Sequence, residues 1–188
     1  MAVSDSFSAL RVLYADIEAR GSSICSSQTD WPCRKGCDSC CRHLAEVPRA
    51  TKKEWDQTQV ALKLLPPKTQ EEIATRIANL AEASHKPIVC PFLHRESGSC
   101  SIYEARPTAC RTYGFYVERD QGLYCPEIRS RVEEGVYQQV VWGNAESIDA
   151  RLQQIGPQID LLTWWQAYYS GSLHKNTAAS GGTSTVRE

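Results

Sequence analysis

Apolar residues recur at helical spacing over most of this chain and give way twice to irregular stretches that carry cysteine. From about Ser6 to Arg20, Phe7, Leu10, Leu13, Tyr14 and Ile17 fall three or four residues apart, which predicts an amphipathic helix that Gly21 ends. Thr51-Lys52-Lys53-Glu54 has the form of a capping box, in which the hydroxyl accepts from the first turn and Glu54 reaches back to the cap. Trp55, Leu62 and Leu65 line one face of the helix it starts. Pro66 and Pro67 stop that helix and suit the opening of the next, in which Ile73, Ile77 and Leu80 share a face until Pro87. Between Pro87 and Pro126, Gly98, Gly114 and Gly122 mark turns between short apolar runs, so short strands and loops are expected, with a hairpin turn over 118–122. Beyond Pro126, Val132, Val136, Tyr137 and Val140 predict a helix, and Ile148, Leu152 and Ile155 another that Gly156-Pro157 ends. A last, aromatic helix is expected near Ile159 to Tyr169, and the small polar residues from Ser170 onward predict a disordered tail.

Composition places the chain among ordinary globular proteins. At 188 residues, 41% hydrophobic and 23% charged, it has material for one domain with a real core. A net charge of −1 supplies no global attraction to nucleic acid or an anionic membrane, and neither is expected as a partner. No apolar run approaches the roughly 20 residues that span a bilayer, and the N-terminus has no basic stretch leading into an apolar one. A cytosolic protein is expected.

That compartment makes the nine cysteines informative. An odd count, a reducing environment and the adjacency of Cys40 and Cys41 all argue against a disulfide framework. Cys25 stands alone among serines. Without it eight thiols remain: Cys33, Cys37, Cys40, Cys41, Cys90, Cys100, Cys110 and Cys125. Thiolates so crowded repel one another unless a soft cation holds them, which points to zinc or an iron–sulfur cluster. The expected fold class is thus mainly α with short irregular strands, a small cysteine-rich single domain centred on metal. Its parts are an N-terminal helix (1–30), a cysteine-cluster domain with an inserted helical hairpin (31–126), C-terminal helices packing on it (127–169) and the tail (170–188).

The order of the motifs is more specific than the count. Cys33-x3-Cys37-x2-Cys40-Cys41, Cys90-Pro91-Phe92-Leu93, Cys100-x-Ile102-Tyr103-Glu104-x-Arg106-Pro107-x2-Cys110-Arg111 and Cys125 together resemble the YkgJ-like cysteine-cluster family, the CxxCxxCC zinc- or iron-chelating domain. The resemblance covers roughly Pro32 to Pro126. It implies a cysteine-ligated iron–sulfur or zinc site and kinship with flagellin lysine N-methylases that carry a similar domain. It implies no substrate.

Around the thiols, Arg34, Lys35, Arg42, Arg106 and Arg111 adjoin candidate ligands and are placed to donate to sulfur. For any one of them an ordinary solvated loop residue is the simpler reading; the placement of the group is the argument. Iron–sulfur is weighed ahead of zinc because adjacent Cys40 and Cys41 would strain one tetrahedral zinc site yet can feed two neighbouring centres. Cys33-x3-Cys37-x2-Cys40 has the spacing of a radical S-adenosylmethionine loop. However, Ser39 replaces the usual aromatic residue, and no alternating strand–helix pattern is present.

His43 and His94 lie near thiols, but a solvent-facing or supporting role is the simpler reading of each. Tyr103, Tyr113, Tyr116 and Tyr124 are expected to wall the centre off from water. Trp164, Trp165, Tyr168 and Tyr169 are either core or a surface for an unidentified protein partner. A Gly-rich phosphate loop, a nucleophile elbow and a His-Glu-x-x-His motif are all missing, so enzyme status stays open and no catalytic residue is assigned. Three functions remain: an iron–sulfur oxidoreductase or accessory to methyl transfer, a zinc-stabilised protein-binding module, and metal storage or delivery.

Overall fold

Helix α1 (Ala2–Ser27) carries one side of two of the three hydrophobic cores. The structure, a computed structural model, describes residues 2–82, 87–119 and 121–168. Leu10, Leu13, Tyr14 and Ile17 are buried as their spacing predicts, and Ile24 continues the stripe two turns further. Gly21 therefore does not end the helix. A Cβ there would lie 3.8 Å from the ring of Phe115, so Gly21 is where that ring packs on the helix. The packing outweighs glycine's helix penalty of about 1 kcal/mol.

After α2 (Ser39–Arg42) and β1 (Arg49–Thr51), the predicted capping box opens α3 (Lys52–Lys63) with both of its bonds present. Trp55 and Leu62 are buried, while Leu65 lies past the helix end and is half-buried. Helix α4 (Pro67–Glu82) starts on the expected proline and buries Ile73 and Ile77. The stretch up to Pro87 includes 83–86, outside the described residues.

Short strands follow as expected. Strands β2 (Leu93–His94) and β3 (Ser99–Cys100) pair antiparallel, as do β4 (Tyr116–Glu118) and β5 (Gln121–Gly122) around the predicted hairpin turn. The region also holds a helix that the pattern did not predict, α5 (Thr108–Thr112). Helix α6 (Pro126–Glu133) is shorter than expected because Gly135 takes a φ of 78°. Val136 is consequently exposed, while Tyr137 and Val140 reach the core from the turns beyond.

Strand β6 (Gly143–Asn144) runs parallel to β4, and α7 (Ala145–Ile155) ends at Gly156 as predicted. Ile159 does not open the last helix. It lies in β7 (Gln158–Asp160), opposite Ala50 of β1, and helix α8 occupies 161–168. The tail expected from Ser170 lies outside the described residues, as does Tyr169. The fold is mainly α with short irregular strands. Among the described residues there are eight α-helices, and every strand is two or three residues long.

One buried carboxylate ties three helices together. Glu54 is 1% exposed. Its Oε2 accepts from the Thr51 N–H at 2.7 Å and the Thr51 hydroxyl at 3.0 Å. Its Oε1 accepts from the Thr108 N–H and hydroxyl, both at 2.7 Å, and from the Tyr14 hydroxyl at 3.1 Å. The start of α5 is thereby fixed against α3 and α1, and α5 carries Cys110.

Candidate metal centre

The cysteine loop is shaped by a turn in which the Cys37 N–H donates to the Arg34 carbonyl at 2.9 Å. Gly36 takes a φ of 95°, the left-handed region that suits glycine. Cys40 and Cys41 follow on α2, with their Sγ atoms 3.9 Å apart. An isolated bridge between Leu44 and Ile88 brings the second segment alongside, and the Cys90 N–H donates to the Cys41 carbonyl at 2.7 Å. The β2–β3 hairpin presents Cys100, α5 presents Cys110, and Cys125 caps α6. Cys33 lies against Gly114, where a Cβ would stand 2.8 Å from its Sγ. The Cys33 thiol faces the Tyr113 carbonyl at 3.7 Å.

Sulfurs from the two cysteine-bearing segments therefore meet. Burial, together with the charges of Cys40, Cys37 and Cys125, pushes the Cys33 thiol up to about 12. A hydrogen bond with Cys40 eases Cys41, but bonding to Cys90, burial and the charges of Cys90 and Cys100 outweigh it and push that thiol up to about 12. Cys40 is pushed up by its bond to Cys41 and by burial, and Cys110 by burial and the charges of Cys100, Cys40 and Cys41. Cys25 is exposed on α1. All nine cysteines are unbridged.

The charge of one cation, Arg106, recurs at four of these sulfurs and favours the thiolate at Cys33, Cys40, Cys100 and Cys110. Its guanidinium lies 3.6 Å from the centre of the Tyr103 ring and its Nε donates to the Tyr103 carbonyl, which fixes its direction. The other basic neighbours have different partners. Arg111 bonds Glu18 and the carbonyls of Glu104 and Arg106 and stacks on Tyr14. Lys35 pairs with Glu104, Arg42 pairs with Asp38, and Arg34 is exposed.

The four tyrosines also divide. Tyr113 lies by Cys125, Cys40 and Cys33, and burial with those charges pushes its hydroxyl up to about 12. The Tyr124 ring lies tilted against Trp142, whereas Tyr116 is buried in the core between α1 and α7. His43 Nδ1 meets the Ser39 carbonyl and His94 Nδ1 the Ser97 hydroxyl.

The donor set fits a soft metal by its chemistry: sulfur ligands that burial and one another keep from ionising gain most from a cation that binds thiolate. The geometry gathers the thiols without closing them round a point. Among the described residues, no group of three or more His, Cys, Asp or Glu side chains stands arranged to hold a metal ion.

Sequence reasoning missed two residues that shape the site. In the sequence Gly114 marks only a turn, and its closeness to Cys33, 81 positions away, leaves no local signal. Glu54 shows there only as part of a capping box, while its bonds to Thr108 depend on tertiary structure alone.

A family model described as "CxxCxxCC: Putative zinc- or iron-chelating domain" matches residues 32–133, more than half of the chain. The chain belongs to this family. The CxxCxxCC match takes in all eight clustered thiols, α5 and α6, and leaves α1, α7 and α8 outside. It supports metal chelation and names zinc and iron together. No curated protein and no solved structure matches the chain. Among the described residues, no helix is long and apolar enough to cross a membrane.

Proposed function

We propose that this CxxCxxCC protein holds iron in a cysteine-ligated iron–sulfur centre and serves in the cytosol as a redox protein or an accessory to iron–sulfur or methyl-transfer chemistry. The carrying observation is the meeting of thiols from distant segments, with the Cys40 and Cys41 Sγ atoms 3.9 Å apart and the Cys90 N–H bonded to the Cys41 carbonyl at 2.7 Å. Cys33, Cys40, Cys41 and Cys110 sit among other sulfurs, and burial and those neighbours hold each of them in the neutral form. Bound cations would turn that repulsion into ligation. Cys33, Cys37, Cys40, Cys41, Cys90, Cys100, Cys110 and Cys125 would supply the sulfurs, and the charge of Arg106 is the kind of neighbour that tunes a cluster's potential.

A second reading is a zinc-stabilised module that binds another protein. It is favoured by a cavity of about 170 Å³ lined by Trp55, Leu62, Trp165 and Tyr168. The C-terminal aromatics are nevertheless tied to the core: Trp164 donates to the Ala50 carbonyl at 2.9 Å, and Trp165 meets Trp55 edge-on.

Elemental analysis and a visible spectrum of protein purified without oxygen separate the two. Iron with acid-labile sulfide and a brown colour is the expected result. Colourless protein with about two zinc ions per chain overturns the first reading and fits the second, since Zn²⁺ is d¹⁰. Protein with neither metal overturns both.

A further inference from the structure

We propose that the thiols are divided between two centres, with Cys33 and Cys125 at one and Cys41, Cys90 and Cys100 at the other, and with the Cys40–Cys41 peptide as the seam. This rests on the reading of these thiols as metal ligands given above.

The division follows the packing. Cys90 is buried in the core built on α3 and α4, and Cys41 and Cys100 pack against that same core. Cys125 is buried in a different core, around Trp31 and Ile128, and Cys33 packs against that one. Backbone contacts sort the residues in the same way. The Cys90 N–H reaches the Cys41 carbonyl at 2.7 Å, and Cys100 pairs across the hairpin with Leu93, whose own N–H returns to the Cys90 carbonyl. Cys33 instead lies on the Tyr113–Gly114 backbone, and the Gly114 N–H donates to the Leu123 carbonyl at 2.6 Å, two residues before Cys125.

The two groups meet at the Cys40–Cys41 peptide, where the two Sγ atoms lie 3.9 Å apart.

The test counts metal in full-length protein made without oxygen. Relative to the wild type, Cys125→Ser and Cys90→Ser are each expected to retain about half of the metal. The pair Cys33→Ser with Cys125→Ser should still retain about half, because residues serving one unit are not additive, while Cys90→Ser with Cys125→Ser should retain none. Complete loss in the first pair, or half retained in the second, overturns the division. Wild-type protein lacking both iron and zinc overturns the metal-ligand reading instead.

Since a misfolded variant would also lose metal, the wild type supplies an independent readout. It is partly chelated, alkylated and mapped by mass spectrometry. Labels beyond the exposed Cys25 should appear either on Cys33 and Cys125 together or on Cys41, Cys90 and Cys100 together. Labels that mix Cys33 or Cys125 with Cys90 or Cys100, or that reach all eight thiols in one step, overturn the division.

Discussion

Two acidic clusters lie within this small fold, and they are stabilised in opposite ways. Around Glu54, two carboxylate oxygens receive five donors from Thr51, Thr108 and Tyr14, so the buried group is satisfied by the protein alone. Around Cys40, sulfurs meet sulfurs, and what favours its thiolate is a backbone hydrogen bond at Cys41 and the charge of Arg106. The difference is chemical. Oxygen anions accept strong hydrogen bonds from backbone N–H groups, whereas sulfur is a weak acceptor and thiolates repel. A fold can therefore finish a carboxylate site by itself, whereas crowded thiols stay protonated unless a cation is supplied from outside.

The largest expected effect comes from removing that cation. In small metal domains binding free energy is folding free energy, on the order of 10 kcal/mol for zinc-finger peptides. Chelation, Cys37→Ser or Cys110→Ser should therefore lower both metal content and the urea midpoint. An unchanged midpoint after complete metal loss would mean that the thiol site, like Glu54, is finished without help.

pH sharpens the same contrast. In the metal-free protein the Cys33 thiol is raised from an ordinary value of 9.0 to about 12, chiefly by burial. Above pH 9 the unfolded chain gives up a proton that the folded chain keeps. Stability is then intact below about pH 9 and falls as the pH climbs toward 12. Metal-loaded protein, whose ligands are already thiolates, should show no such fall. Denaturant melts of both forms from pH 7 to pH 11 measure it.

Next in size is Glu54→Ala. It strands the buried donors of Thr51 and Thr108 and removes the side-chain half of the α3 capping box together with the anchor of α5. We expect a loss of about 3–5 kcal/mol by urea unfolding. A loss below about 1 kcal/mol would erase the contrast from the other side.

These two clusters also show what the sequence made legible. The capping box was readable because Thr51 and Glu54 lie three positions apart and helix geometry alone joins them. The same holds for Gly156 at the end of α7 and for the prolines that separate α3 from α4. The reach of Glu54 to Thr108 spans 54 positions and has no periodic trace. Neither has the pairing of β1 with β7, which turned Ile159 from an expected helix opener into a strand residue. The helix through Gly21 was hidden for a related reason: Phe115, which packs there, is 94 positions away. Cysteine chemistry was legible as composition and spacing, while the order in which the thiols meet belongs to the tertiary fold.

A smaller effect separates two glycines of the thiol region. Gly36 and Gly114 both take left-handed φ values, 95° and 90°, but a Cβ at Gly36 meets nothing within 4 Å, whereas one at Gly114 stands 2.8 Å from the Cys33 sulfur. Gly36→Ala should cost only the backbone strain, about 1–2 kcal/mol, and keep its metal. Gly114→Ala should cost at least as much and also lose metal, because Cys33 must move. Equal metal content in the two variants would mean that the position of Cys33 does not matter to the site.

The smallest effect is expected at Cys25, the ninth thiol. It lies on the exposed side of α1, away from the sulfurs that crowd one another. A serine there keeps the size and gives up no buried contact, so Cys25→Ser should change stability by no more than about 0.5 kcal/mol. Metal content by elemental analysis should be that of the wild type, and a thiol count on native protein should fall by one. The variant matters because it tests the boundary of the comparison. If Cys25→Ser released metal, a sulfur reaching in from α1 would belong to the cluster, and the set of eight would have to be drawn again.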